Sequence, residues 1–261
     1  MELNIPLKNN KKLEKVLEKV RNNVELQTYL KCSNVMAVDR LKYNDHGPVH
    51  VAIVANISLK LLRNLIKAKV VPSIVNDYKE QKFTNEDAEV VVFLASMLHD
   101  VGHIVAREKH HQFSISLAQE LLKDILSGIY SGEEKYFMLG DILNAIMAHD
   151  KHCEVSTIEG GVLRIADALD MEEGRARVPF RSGEINIHSV SAMAIDDVKI
   201  DYKEEKPISI EIVMKNSAAI FQIDALLKNK IKGSKLENFV QVKASIKEGK
   251  EQSIIKEVIL F

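Results

Sequence analysis

The sequence predicts a mainly α fold: a helical bundle with a small α+β unit appended at the C-terminus. Three observations lead there. Up to about Pro179, apolar residues recur at helical spacing. From Ser191 onward they alternate, as in half-buried strands. Eight of the nine histidines fall between residues 46 and 152, inside the helical part. The expected division is a helical domain over 1–185 and an α+β domain over 186–261.

The elements follow in order. Leu13, Val16, Leu17 and Val20, then Val24, Leu26 and Leu30, mark one or two amphipathic helices within residues 9–40. Pro48 suits the first turn of a helix running to about Lys69. Ile53, Val54, Ile57, Leu61, Leu62 and Leu65 form its apolar stripe. Thr84 and Asp87 resemble a capping box, with Asp in place of the usual Glu. The run Ala88 to Leu98 is apolar nearly all round, as expected of a central helix. Gly102 fits a stop for that helix. Further helices are expected from about Gln112 to Leu126, Glu133 to Ala148 and Gly160 to Met171. Ala194 to Tyr202 and Ile208 to Met214 read as strands flanking a turn at Lys206-Pro207. Ala218 to Ile231 reads as a helix. Phe239 to Ile246 and Ile254 to Phe261 read as strands joined by a hairpin at Lys247 to Lys250.

Composition narrows the function. The formal net charge is -1, so no global field draws nucleic acid or an anionic membrane. The two cysteines, Cys32 and Cys153, make no disulfide framework, and a reducing cytoplasm is the expected location. Cys153 lies near His149 and His152, yet an isolated cysteine is ordinarily a small apolar filler. No uninterrupted apolar run reaches membrane-spanning length.

The histidines carry the chemistry. They read His46-x-x-x-His50, His99-Asp100-x-x-His103, His110-His111 and His149-Asp150-x-His152. Imidazole and carboxylate are donors for first-row transition metals. Asp167 stands between Ala166 and Ala168 in an apolar helix, where a carboxylate is costly unless paired or metal-bound. His99 and Asp100 are neighbours and would diverge by about 100° in a regular helix. They converge only if the helix end distorts, or if each serves a different part of the centre. Asp170 follows Asp167 by three residues and could lend a supporting hydrogen bond.

The ordered set His50, His99-Asp100 and Asp167 resembles the H…HD…D signature of the HD superfamily of metal-dependent phosphohydrolases. The resemblance covers roughly residues 40–175 and includes Met97-Leu98-His99-Asp100-Val101-Gly102 and Arg164-Ile165-Ala166-Asp167. It implies the HD helical bundle and a hydrolase of phosphodiesters or phosphomonoesters. Two-metal members add two histidines, for which His110 and His149 fit, with His111 as the alternative to His110. The implied cofactors are two divalent transition-metal ions, iron or manganese, with zinc or nickel as alternatives.

Asp100 and His103 are the expected catalytic residues. His46, Lys151, Arg175 and Arg177 are expected to bind substrate. The segments Asn44-Asp45-His46-Gly47 and Gly174-Arg175-Ala176-Arg177 resemble archaeal stand-alone HD proteins. That resemblance implies a nucleotide-like or pterin-like substrate, a 2′,3′-cyclic phosphate among the candidates. A small-molecule phosphate ester is the expected partner, with self-association allowed and neither membrane nor nucleic acid required. A non-catalytic metal sensor or interaction protein is the competing reading.

Overall fold

Asp87 shows how the bundle begins. In the computed structural model, which describes residues 3–171, 191, 193–246 and 257–260, this carboxylate is fully buried. It accepts hydrogen bonds from Thr84 N, Lys12 Nζ and the Tyr130 hydroxyl at 2.9, 2.6 and 2.8 Å. The expected capping box is formed, and it opens α5 (Asn85–Leu98). The Lys12 bond also fastens α1 (Lys11–Asn22) to that helix.

From Val90 to Leu98 every residue of α5 is buried, so it forms the bundle's axis. Helices α3 (Pro48–Lys67), α7 (Gly132–Ala148) and α8 (Ile158–Leu169) pack round it. Filling a core site such as Leu94 contributes about 1.5–3 kcal/mol relative to leaving the side chain in water. Arg63 joins α3 to α5 through two bonds to the Glu89 carboxylate, at 2.7 and 2.8 Å. By length and composition α3 is apolar enough to cross a membrane, but half of that stretch is buried inside the protein. Helix α2 (Val24–Asn34) runs on into a π-helical turn, Val35–Arg40. The short α4 (Ser73–Asp77) and α6 (His110–Ile125) complete the helical part.

Two expectations need correction. Gly102 is not the stop of α5, which ends at Leu98. It lies in a 3-10 turn, Val101–Ile104, pressed against the start of α6. A Cβ there would lie 2.0 Å from His110 O and 2.5 Å from Ser114 N, so close backbone approach demands glycine. The helix expected over Ala218 to Ile231 is also not one regular helix. It divides into a 3-10 turn (Ser217–Ala219), a π-helical stretch (Gln222–Leu227) and α9 (Lys228–Lys232). The π-helical stretch buries the polar Gln222, whose amide donates to Ser191 Oγ at 3.0 Å.

The sheet follows the predicted order of strands. Its strands are β1 (Ile195–Asp201), β2 (Ile208–Met214), β3 (Val240–Ile246) and β4 (Glu257–Leu260), arranged in that order. The β1–β2 and β3–β4 pairs are antiparallel, while β2 and β3 run parallel with the helical segment between them. Ile208, Ile210, Ile212 and Met214 alternate toward the core, as a period of two requires. The sheet contacts α3, and α9 contacts α8. Gly161 of α8 admits the Ser234 carbonyl, which a Cβ would meet at 2.3 Å. The expected boundary near 185 and the hairpin at Lys247 to Lys250 lie outside the described residues.

Candidate metal centre

Every candidate ligand sits at or near a helix end or in the following turn, where side chains from different elements can converge. His50 lies in the first turn of α3. His99 still has helical angles, but Asp100 turns to φ -107°, ψ 0°. That distortion lets two adjacent residues face one point. Ser114 Oγ holds the turn, donating to His99 O at 2.6 Å and accepting from Gly102 N at 2.9 Å. His110 opens α6, His149 follows α7, and Asp167 lies near the end of α8.

Asp100 stands between two groups of donors. Its Oδ2 is 3.2 Å from His50 Nε2 and 3.3 Å from His99 Nε2. Asp167 Oδ1 joins this side, 3.4 Å from His50 Nε2 and 3.8 Å from His99 Nε2. The Oδ1 of Asp100 faces His110 Nε2 at 3.4 Å, His103 Nε2 at 3.5 Å and His149 Nε2 at 3.9 Å.

The proton positions follow from the partners. The Nδ1 atoms of His99, His110 and His149 lie 2.8, 2.9 and 2.6 Å from the carbonyls of Ser96, Arg107 and Ile146. A carbonyl only accepts, so Nδ1 carries the hydrogen. His50 Nδ1 likewise faces the Asp170 carboxylate at 2.5 Å. In the neutral rings all four Nε2 atoms are therefore bare lone pairs. Yet His50 Nε2 lies 3.3 Å from His99 Nε2, and His110 Nε2 lies 3.0 Å from His149 Nε2. Lone pairs facing each other at such separations call for a cation between them. Two donors each about 2.1 Å from one ion lie roughly 3.0–3.4 Å apart. The residues present fit two divalent ions, with Asp100 between them.

Electrostatics agree with that fit. Burial opposes charge on Asp100, but His99, His103 and His46 hold it well below the usual carboxylate range. Burial also opposes charge on Asp167, which Lys230, His50 and His99 hold low. Burial pushes His149 well down, and His110 down, which keeps those rings neutral as metal ligation requires. Burial would lower His99 too, but Asp100 and Asp167 outweigh it and raise its pKa to about 9. A cation and a proton thus compete for the same nitrogen.

The comparisons with known proteins match this arrangement. The HD domain family matches residues 49–172. An uncharacterized protein, MJ1020 of Methanocaldococcus jannaschii, is 41% identical over 245 residues, spanning 94% of this chain and 93% of its own. The chain belongs to the HD domain family. HD domains are typically those of metal-dependent hydrolases, and the buried His/Asp cluster suits that chemistry. No solved structure matches the chain.

Within this HD domain the remaining expected residues take distinct places. His46 is half-buried at the centre's edge, its ring 4.4 Å from that of His103 and 5.6 Å from that of His50. His103 is buried and stacked on His110 at 4.3 Å. Neither of its ring nitrogens has a hydrogen-bond partner among the described residues. His110, not His111, is the one beside Asp100. Lys151 is exposed in the turn after α7. Arg175 and Arg177 lie outside the described residues.

Two residues around the centre escaped the sequence reading. Lys230 of α9 donates to Asp167 Oδ2. Nothing local marks it, since it is 63 residues from Asp167 in another unit. Arg164 is buried, and its guanidinium donates to Ala148 O, Asp150 O, Cys153 O and Gly233 O at 2.7, 2.6, 2.5 and 2.8 Å. It fixes the turn that carries His149. Arg164 opens the segment Arg164-Ile165-Ala166-Asp167, but nothing in the sequence marked its clamping role.

Proposed function

We propose that the chain is a metal-dependent phosphohydrolase acting on a phosphomonoester or phosphodiester of a nucleotide-like or pterin-like small molecule. The observation that carries this reading is Asp100, with one oxygen toward His50 and His99 and the other toward His110 and His149. A carboxylate placed so is suited to hold two ions side by side. His50, His99 and Asp167 would complete one coordination group, and His110 and His149 the other. Iron or manganese suits these nitrogen and oxygen donors, with zinc and nickel as alternatives. Such an ion pair supplies Lewis acidity toward phosphoryl oxygens and makes water nucleophilic near neutral pH.

The chain's own residues then have defined tasks. Asp100 fixes the geometry of the centre and lies beside the reacting atoms. His103 is buried at that centre, its Nε2 3.5 Å from Asp100 Oδ1, and it protonates the leaving oxygen. His46, packed against His103, contacts substrate at the rim. Arg175, Arg177 and Lys151 supply positive charge for phosphate, a role assigned from the sequence. A strained 2′,3′-cyclic phosphate suits a centre that offers both an activated water and a proton donor.

The test is a substrate screen on protein loaded with iron(II) or manganese(II). It should include phosphomonoesters, linear phosphodiesters and 2′,3′-cyclic phosphates. Turnover that is lost in a folded Asp100→Ala variant is the expected result. Metal-replete protein that turns over none of these classes would return the chain to the non-catalytic reading.

A further inference from the structure

His111 lies beside the site described above, its ring 6.4 Å from that of His149. It is 8% exposed, and its Nδ1 has no hydrogen-bond partner among the described residues. A buried polar nitrogen left so is costly unless something satisfies it. Asp150 Oδ2 is 3.6 Å away, too far for a hydrogen bond. Cys153 completes the group: one donor atom from each of His111, Asp150 and Cys153 lies within 4.8 Å of the others.

We propose that His111, Asp150 and Cys153 form a third metal site, separate from the Asp100 centre and selective for a borderline-soft divalent ion such as zinc. The donor set is one imidazole nitrogen, one carboxylate oxygen and one thiolate sulfur. That mixture suits zinc with a fourth position left to water. Nitrogen and oxygen ligands about 2.0–2.1 Å from a tetrahedral ion lie roughly 3.3 Å apart. The observed 3.6 Å is near that value.

The local backbone is already arranged for the task. Asp150 Oδ1 accepts from His152 N at 2.9 Å, leaving Oδ2 toward His111. Cys153 N donates to Asp150 O at 3.1 Å, closing the turn. Arg164 then clamps the Asp150 and Cys153 carbonyls, so its charge is directed onto main-chain oxygens rather than the donor atoms. Cys153 is therefore more than the apolar filler its sequence context suggested.

The site's position gives it a purpose. His111 follows His110, and Asp150 follows His149. An ion held by His111, Asp150 and Cys153 ties the start of α6 to the turn after α7. Those two segments carry the histidine pair whose Nε2 atoms lie 3.0 Å apart. The third ion would act as a structural fastener behind the second coordination group.

Cobalt(II) spectroscopy on the full chain tests this, because a thiolate ligand gives a charge-transfer band in the near ultraviolet that imidazole and carboxylate do not. The band should appear in the unaltered protein and in Cys32→Ser. It should vanish in Cys153→Ser, with about one fewer bound ion per chain and unchanged circular dichroism. No band in the unaltered protein, or a band that survives Cys153→Ser, would overturn the proposal. The first of these needs no substitution, so a variant that fails to fold does not shield the idea. The readout is also independent of phosphohydrolase activity.

Discussion

Lys230 Nζ donates to Asp167 Oδ2, the oxygen that the His50 and His99 side of the centre does not use. A residue of the C-terminal unit thereby sets which way a candidate ligand faces. The bond also ties the α+β unit to the chemistry rather than leaving it a bystander. Lys230→Met should weaken metal binding at the His50–His99 group by about 10- to 100-fold, as loss of a ligand's supporting partner typically does. Competitive titration against a chelator would measure it. Unchanged or tighter binding would mean that Lys230 merely neutralises charge.

His103 should matter to turnover and little to metal content. In this account it serves the substrate, not the ions: its Nε2 faces Asp100 Oδ1 and its Nδ1 has no hydrogen-bond partner among the described residues. His103→Ala is expected to keep the full metal complement while kcat falls by about 10²- to 10⁴-fold. Loss of an ion in this variant would make His103 a ligand instead of a proton donor.

Gly102→Ala should be disproportionately harmful for one added methyl group. The new Cβ would sit 2.0 Å from His110 O, and backbone cannot yield as a side-chain tip can. Overpacking of this kind costs about 1–3 kcal/mol. The strain would push the start of α6, and with it His110, away from Asp100. Thermal unfolding and metal counting together check this. A variant with native stability and full metal content would contradict the close-approach account.

Much of the centre was legible in the sequence because its donors are rare residue types in fixed local contexts. His50, His99, Asp100, His110, His149 and Asp167 are imidazoles and carboxylates that few other roles explain, and the structure brings them together. The support from Asp170 to His50 was approachable from its spacing to Asp167. Lys230 was not, because its partnership depends on how two units pack. Arg164 was hidden for a similar reason: it binds carbonyls, which carry no side-chain signature. The choice between His110 and His111 needed the direction of each ring. The π-helical stretch at Gln222–Leu227 leaves no periodicity that differs clearly from an ordinary helix.

Stability should depend on pH through Glu159. This carboxyl is fully buried and accepts from Ser73 N and Ile74 N at 3.2 Å each, at the start of α4. Burial raises its pKa from 4.5 to about 7. A group raised on folding contributes its full stability below the unfolded value. That contribution is lost as pH rises from 4.5 through about 7. The loss is on the order of 3 kcal/mol at one pKa unit per 1.36 kcal/mol. Glu159→Gln, neutral throughout, should flatten the stability profile across that window. Denaturant midpoints against pH are the measurement, and a variant profile parallel to the parent's would assign the pH dependence elsewhere.

The central claim is that Asp100 lies between two metal ions, and a crystal of metal-loaded protein measured for anomalous scattering tests it most directly. The account predicts two peaks flanking the Asp100 carboxylate, about 3.5–4 Å apart, one against His50, His99 and Asp167 and the other against His110 and His149. A single peak, with His110 and His149 free of metal, would contradict it.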